Sequence, residues 1–496
     1  MLRDGEQNAA LSDHAKSFLS RFGPNSTLKS MTIGVSSNCL LISPILQHVS
    51  QLTSLELVDV GDFSLGNLTQ LHECCPHLRS LSLNEVIFRN GTITGEHKVL
   101  PTHIEAVTIE YYSPWEEPAL WLDYFAARYP HLKRFRIRKK SPPYAEPEPE
   151  VADSMRRLKQ GCRQLKDIQL IDMHWCHKYL EPLLDLDPKA NIVTLTVTFN
   201  GAYEQPFCKA ISGMTWHRIR KLSLFVDWPL LPITVLSALQ PLHLEELNIG
   251  DSRVKPRSSP RIRLDQTFTH LRHLSVLRIY HAELTKHETE EPITADQGQL
   301  LPHDNLQKLV LSEVLLDQEV IDFLAAQCPR IRYLRMDGCA GHQRASGEKQ
   351  NLPFLHLHLP HRKLHSIQIR SFTMCSRKVY KFKSSRTNHI RLCKVVQGNE
   401  LHWIHISAPT MDSLEYLKGP RPYTVWSSSW PPRVVDQAST KQLERLTSGA
   451  AKRLLARALP TSSSQNWEAE LGPGYLVITC ESIDNLYIDD HRVSLP

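Results

Sequence analysis

Few residue groups in this chain have the types and spacing to do chemistry. Gly61 and Gly66 bracket half of a phosphate-binding loop, but Asn67-Leu68 follows where such a loop needs a lysine and a hydroxyl. Without those two groups the glycines read as a turn. His356, His358, His361 and His365 form the densest histidine group, and the first two share a strand face by their spacing. No cysteine or carboxylate lies close in sequence to complete a tetrahedral ligand set. Solvated or packing histidines are therefore expected, with no metal. His174-Trp175-Cys176-His177 reads the same way. No G-x-S-x-G, H-E-x-x-H or G-x-G-x-x-G occurs. The expectation is a protein that is not an enzyme, with no catalytic residue and no cofactor.

The elements that must position any binding residues are more legible. Leu306-Gln307-Lys308-Leu309-Val310-Leu311 spells apolar-x-x-apolar-x-apolar. The spelling returns from Leu28, Leu52, Leu78, Ile104, Leu132, Leu165, Ile192, Ile219, Leu244, Leu274, Ile331, Leu364 and Leu401, with an outlying copy at Ile483. Successive starts from Leu28 to Leu401 lie 24 to 37 residues apart, an irregular period typical of leucine-rich repeats. Within each copy the last two apolar residues alternate with their neighbours as strand faces do. After the Leu306 copy, Asp317 can cap a helix whose Val320, Ile321, Leu324 and Cys328 fall at helical spacing, and Pro329 stops it. One such coil cannot bury its own apolar face, so neighbours must stack. The expected fold is an α/β leucine-rich repeat solenoid over 28–407, with a curved parallel sheet on the concave face and helices on the convex face. A partial N-terminal repeat helix at 1–27 precedes it, and a divergent region at 408–496 follows.

Cys74-Cys75-Pro76-His77-Leu78-Arg79-Ser80-Leu81-Ser82-Leu83 and Cys328-Pro329-Arg330-Ile331-Arg332-Tyr333-Leu334-Arg335-Met336 resemble the Cys-Pro-x-Leu-x-x-Leu-x-Leu junctions of the ribonuclease-inhibitor-like repeat class. Within that class they are most similar to the repeats of fungal F-box leucine-rich repeat proteins, and Tyr129-Pro130-His131-Leu132 is a weaker version. The resemblance covers roughly 28–407. It implies a substrate-recognition adaptor of a ubiquitin ligase, presenting a partner on its concave face. The chain departs from the pattern at its start, because the 27 residues before Leu28 do not spell the helical opening of an F-box. A cullin-ligase partner is thus expected only if an F-box lies upstream of Met1. The alternative is a free-standing leucine-rich repeat protein that binds an acidic protein or nucleic acid, without a ubiquitin-ligase link.

The repeat register also predicts which side chains line the concave face. Early coils offer small residues such as Ser54, Ser80 and Ser82; the Leu132 coil offers a stripe of Arg134, Arg136 and Arg138. From Leu274 onward the side chains grow: Arg278 and Tyr280, Lys308, Tyr333 and Arg335, Arg370, then Trp403 and His405. Arginine, tyrosine and tryptophan are the types enriched where partners bind. From Gln350 to Asn399 there are ten Lys/Arg and no Asp or Glu. A segregated positive field attracts acidic partners, so the expected ligand is an acidic or phosphorylated protein segment, with Trp403 as an apolar anchor. Nucleic acid is the rival, since phosphates see the same field.

Composition bounds the rest. The 496 residues are 41% hydrophobic with a net charge of +6, enough to bury a large core. The 11 cysteines include no C-x-x-C pair, which suggests reduced thiols rather than a disulfide framework. No secretory h-region and no run of about 18 apolar residues appears, so a cytoplasmic or nuclear protein without a membrane span is expected. Leu11, Ala15, Phe18, Leu19 and Phe22 spell the helical half of a coil, which leaves the Met31–Ile33 strand as an expected sheet edge. The stretch 139–151 reads as a mobile Pro/Glu loop, and 441–459 as a basic amphipathic helix that packs on the end of the solenoid.

Overall fold

The computed structural model describes residues 28–34, 46–47, 49–59, 61–88, 102–111, 117–139, 150–171, 179–180, 182, 192–200, 204–212, 219–227, 230–251, 260–286, 302–342, 354–375, 389–406, 431–448, 467–471 and 474–495. The chain divides into two compact units, Met1–Val226 with Pro241–His243, and Asp227–Gln240 with Leu244–Pro496. Each is a parallel sheet whose strands alternate with helices, as in an α/β leucine-rich repeat solenoid.

The first unit holds β1 (Ser30–Gly34), β2 (Ser54–Val58), β3 (Asp62–Phe63), β4 (Ser80–Phe88), β5 (Ala106–Tyr111), β6 (Arg134–Lys139), β7 (Asp167–Ile171), β8 (Thr194–Asn200) and β9 (Lys221–Asp227). Six of the predicted copies pair side by side without a slip. Leu55, Leu81, Val107, Phe135, Ile168 and Leu195 form one inward row, and Leu57, Leu83, Ile109, Ile137, Leu170 and Val197 the next. All twelve are at most 1% exposed, so the alternation read from sequence is an inside/outside alternation. Met31 and Ile33 extend the rows on β1 but stay partly exposed, and among the described residues β1 pairs with β2 alone.

The Cys-Pro junctions have a physical basis. Helix Leu65–Cys74 begins on Ser64, whose hydroxyl accepts from the Asn67 amide, while the Asn67 side chain accepts from the Ser64 amide. At its end Cys75 donates its amide to the Leu71 carbonyl and accepts at its own carbonyl from Leu78. Tyr129 with Leu132, Cys162 with Leu165 and Cys328 with Ile331 repeat that carbonyl-to-amide link. The position must be small or flat because it is buried. Burial pushes the Cys75, Cys162 and Cys328 thiols up to about 12, so they serve as packing groups and not as nucleophiles. Gly161 lets helix Glu150–Gly161 touch helix Pro118–Arg128, since a Cβ there would collide with the Ala126 carbonyl.

The second unit holds β10 (Glu246–Gly250), β11 (Arg261–Arg263), β12 (Val276–Tyr280), β13 (Glu283–Thr285), β14 (Lys308–Ser312), β15 (Leu315–Asp317), β16 (Tyr333–Asp337), β17 (Ala340–His342), β18 (Phe354–Arg370), β19 (Thr373–Cys375), β20 (Leu392–Gln397), β21 (Glu400–His405), β22 (Arg433–Val434), β23 (Tyr475–Ile488) and β24 (His491–Val493). Its inward rows are Leu247, Leu277, Leu309, Leu334, Ile367 and Leu486, then Ile249, Ile279, Leu311, Met336, Ile369 and Ile488. Asp317 caps helix Gln318–Gln327 by accepting from the Val320 amide at 2.9 Å, as its sequence position predicts.

Each coil here also turns a corner that the repeat spelling does not announce. His281, Glu313, Gly338 and Ser371 follow their strands with φ of 48°, 54°, 61° and 51°, in the left-handed region. The amides of His281, Glu313 and Gly338 donate to Ser312, Asp337 and Arg370 carbonyls on the next coil at 2.7–2.9 Å. The following residue, Ala282, Val314, Cys339 or Phe372, is buried. The chain then adds a three-residue strand to a second parallel sheet, β11-β13-β15-β17-β19. Hydrogen bonds between stacked corners hold the conformation that a single αL residue would resist.

The C-terminal part gives the outlying repeat copy its neighbour and corrects two expectations. The Ile483 copy, distant in sequence, lies directly beside the Leu364 copy, because β23 runs parallel to β18 from Phe354↔Tyr475 to Ile369↔Ile488. The Leu401 copy is not a coil: β21 pairs antiparallel with β20 around Gly398-Asn399, with Gly398 at φ 58°. A Gly at the first central position of a two-residue loop is a hairpin signal, and it overrides the repeat spelling. Trp403 and His405, expected on the concave face, are buried instead. Trp403 is wholly enclosed by a separate cluster of Leu392, Val435, Leu443, Trp467, Leu471 and Tyr475. Its Nε1 donates to Glu444 at 2.7 Å, and Glu444 also holds Lys394 at 2.8 Å. His405 is 8% exposed and meets Glu470 at 3.3 Å.

The predicted basic helix at 441–459 starts earlier, as helix Gln437–Thr447, which packs Leu443 and Leu446 into this same cluster; 449–459 lie outside the described residues. The N-terminal helix at 11–22, the loop at 140–149, most of 285–300 and 340–351, and the His174–His177 group lie outside the described residues.

Two stability outcomes follow from this packing. Trp403→Ala should cost about 3–5 kcal/mol, the usual penalty for emptying an aromatic site, read as a lowered urea midpoint for the second unit. A loss under about 1 kcal/mol would show that the cluster is peripheral. In the first unit, His72 is buried with Nε2 2.8 Å from the Tyr129 hydroxyl, and burial with Arg128 nearby lowers its pKa to about 4. The unfolded chain binds this proton near 6.5 and the folded one only near 4. Stability is therefore full above pH 6.5 and falls as pH drops towards 4, by up to about 3 kcal/mol. Denaturant titrations across that window should show the slope, and His72→Gln should flatten it.

Candidate interaction surface

The second unit brings together six of the residues predicted from the sequence. Strand register sets three rows across the outer face of the sheet, the side turned away from the inward leucines. One row runs Glu246, Val276, Lys308, Tyr333, Ser366 and Asn485. The next runs Asn248, Arg278, Val310, Arg335, Gln368 and Tyr487, and the third Gly250, Tyr280, Ser312, Asp337 and Arg370. Arg278, Tyr280, Lys308, Tyr333, Arg335 and Arg370 thus sit on four adjacent strands, a patch about 15 Å wide across the sheet. Gly250 closes the third row because any Cβ would collide with the Tyr280 backbone.

The charges on this face are mostly matched. Arg278 pairs with Glu246 on the neighbouring strand and donates to Asn248 at 2.9 Å. Arg335 meets Asp337 two residues along its own strand at 2.8 Å, and Arg370 meets Asp490 at 3.3 Å. Among the described residues Lys308 forms no ion pair. Tyr333 is the large exposed ring of the patch, 39% exposed, with its face set edge-on to His365 at 4.9 Å. Tyr280 is half-buried, and its hydroxyl is pushed up by burial while Arg278 and Arg335 pull it down.

The acid-free stretch 350–399 finds its counter-charges in residues far along the chain. Lys363 pairs with Glu481, Arg370 with Asp490, Arg391 with Glu470 and Lys394 with Glu444. Arg362 caps the end of helix Gln318–Gln327 through the Ala325 and Cys328 carbonyls, the latter at 2.5 Å. The remaining five cations, at 377, 378, 381, 383 and 386, lie outside the described residues. The segregated field expected from local composition is therefore neutralised among the described residues by the segment that forms β23 and its flanking helices.

Arg134, Arg136 and Arg138 stand on one strand of the first unit, also beside carboxylates. Arg134 meets Asp167 at 3.4 Å, and Arg136 and Arg138 share Glu110 at 3.3 and 4.0 Å. The stripe exists, but acids on both neighbouring strands flank it.

The histidine group does not converge. His356 bonds the Thr479 hydroxyl at 2.8 Å and stands edge-on to His358 at 5.0 Å, while His365 faces Asp484 at 3.1 Å. Burial and the neighbouring His358 lower the His356 pKa. His356 and His358 line a cleft of about 610 Å³ with Asp317, Glu319, Asp322 and Phe354. Gln318 closes one wall by exchanging two 2.8 Å hydrogen bonds with the His356 backbone. Among the described residues no group of three His, Cys, Asp or Glu is placed to hold a metal. No described helix is long and apolar enough to cross a membrane.

No protein-family model and no curated protein sequence matches this chain. Among solved structures, a Bacteroides fragilis protein from a structural genomics programme aligns over 52% of this chain and 75% of its own, at 14% identity and a TM-score of 0.36. The yeast Rad7 and Elc1 complex aligns over 67% of this chain and 82% of the matched one, at 14% identity and a TM-score of 0.32. The strand register, rather than these distant likenesses, defines the repeat architecture.

Proposed function

We propose that this chain is a non-catalytic interaction scaffold that binds a protein segment on the outer face of β12, β14, β16 and β18. In this reading the chain performs no reaction of its own. The observation that carries it is the exposed Tyr333 ring with Lys308 beside it and Arg335 next along its strand. A large ring on a sheet face is costly in water and is a common anchor at interfaces. The Arg335–Asp337 pair is exposed on the arginine side, 44%, and such pairs contribute only about 0–1 kcal/mol. Arg335 can therefore exchange Asp337 for a carboxylate or phosphate of a partner at little cost, with bidentate geometry available. Lys308 supplies a second charge. The favoured ligand is thus an acidic or phosphorylated segment that also offers an apolar side chain to Tyr333.

The Cys-Pro repeat junctions support the setting of a ubiquitin-ligase substrate receptor, with a cullin-ligase adaptor as second partner where an F-box is supplied. The test is affinity capture with wild-type chain, with Tyr333→Ala/Arg335→Glu, and with Arg134→Glu in the first unit as control. The double variant should lose its main partner by at least tenfold, and the control should keep it. Ligase subunits, if this setting is right, should remain in all three captures. A partner lost from the control but kept by the double variant would overturn the assignment.

A further inference from the structure

The first unit carries a second surface, independent of the patch just described, along the rim where its strands begin. The residue before each strand is locked to the next coil by its carbonyl. Lys29 accepts from the Thr53 and Ser54 amides, Thr53 from Arg79 and Ser80, and Arg79 from Glu105 and Ala106. Glu105 then accepts from Lys133 and Arg134, Lys133 from Lys166 and Asp167, Lys166 from Val193 and Thr194, and Val193 from Arg220 and Lys221. These bonds align the rim side chains in a single file, with a step of about 4.8 Å per coil. From Lys29 to Lys166 the file spans roughly 24 Å.

Its charge is one-sided. Along the described rim, Lys29, Arg79, Lys133, Arg163, Lys166 and Arg220 face one carboxylate, Glu105. Glu105 is already shared, at 2.8 Å from Lys133 and 3.5 Å from Arg79. Lys29, Arg163 and Lys166 are exposed and form no ion pair among the described residues. A second file runs beside the first on three successive coils: His77, His103 and His131, two residues before Arg79, Glu105 and Lys133, all exposed. The His103 and His131 rings lie nearly parallel, 13° apart with centroids at 6.1 Å. Lys29, His77, Arg79 and His103 line a cleft of about 310 Å³ with Gln51 and Thr53.

We propose that this rim binds single-stranded nucleic acid, with the cation file along the phosphodiester backbone and the histidine file offering ring faces to bases. A linear array of cations fits a linear polyanion. Flat rings repeating beside it suit base stacking, the sequence-tolerant contact of single-strand binders. An acidic protein segment would need an apolar anchor as well, and among the described residues Val193 is the one large exposed apolar side chain on the rim.

The experiment is fluorescence anisotropy of the full chain with a labelled oligo-dT and a labelled polyglutamate, across a range of KCl concentrations. If four to six rim cations each neutralise a phosphate, the log–log salt slope should be roughly −3 to −4. Lys29→Gln/Lys166→Gln should make it shallower by about 1.4. His103→Ala/His131→Ala should weaken oligonucleotide binding on the order of fivefold or more at unchanged slope. Circular dichroism checks that the variants fold. The proposal is overturned if the oligonucleotide does not bind at low salt, or if binding ignores both variants. It is equally overturned if polyglutamate binds as tightly and the histidine variant has no effect, the outcome for an acidic protein ligand. Tyr333→Ala/Arg335→Glu should leave this binding intact, so the rim and the second-unit patch fail or stand separately.

Discussion

Within each unit, everything rests on one repeated hydrogen-bond arrangement. The carbonyl just before a strand accepts two amides of the next coil, and the parallel ladder continues from there. That doubled contact sets the register before any side chain is considered. A slip of one residue would send each inward leucine to solvent, so the ladder and the apolar rows reinforce each other. The buried Cys, Tyr, Val or Leu at the junctions, the capped helix starts and the left-handed corners all serve to return the chain to that starting carbonyl. Function inherits the same geometry: side chains distant in sequence become rows because their backbones are bonded coil to coil.

A stack of this kind has open ends, and the second unit shows one way of closing one. β23 lies beside β18 and is shared with β20 along its first half. Its second half turns back through Asp489-Asp490, both at positive φ, into the short antiparallel β24. Acidic residues tolerate that two-residue turn, and here they are also used. Asp489 accepts from the Ser371 amide at 2.9 Å, and Asp490 reaches Arg370. Along the second half of β23 the side away from β18 is thereby covered by three residues of antiparallel strand, Val493, Arg492 and His491. The price is that Trp403 and His405 are consumed by packing and are unavailable to a partner.

Charge behaves differently from apolar periodicity. The stretch 350–399 reads as strongly basic because its acids are missing locally, yet Glu444, Glu470, Glu481 and Asp490 arrive from fifty or more residues beyond the cations they meet. Arg278 and Arg136 likewise find their acids one strand over, thirty-two and twenty-six residues back. A charge count along the chain therefore misjudges the field of a repeat protein. A count across the sheet, position by position, is the physical one, and it moves the unbalanced charge to the start-of-strand rim of the first unit.

The amino-acid sequence by itself determined the coil. Apolar spacing, the Asp317 cap and the Cys-Pro junctions specify strand, helix and stop within each copy, since those are contacts over a few residues. Repetition also sets the register that lines up Arg278, Tyr280, Lys308, Tyr333, Arg335 and Arg370 on one face of neighbouring strands. Tertiary structure decided what each side chain meets. Whether Ile483 stacks on Leu364, whether the Leu401 copy folds as a hairpin and buries Trp403, and which acid neutralises which arginine all depend on long-range pairing. Such pairing is selected by the whole core and the closing of the stack, and no short stretch of sequence contains both partners.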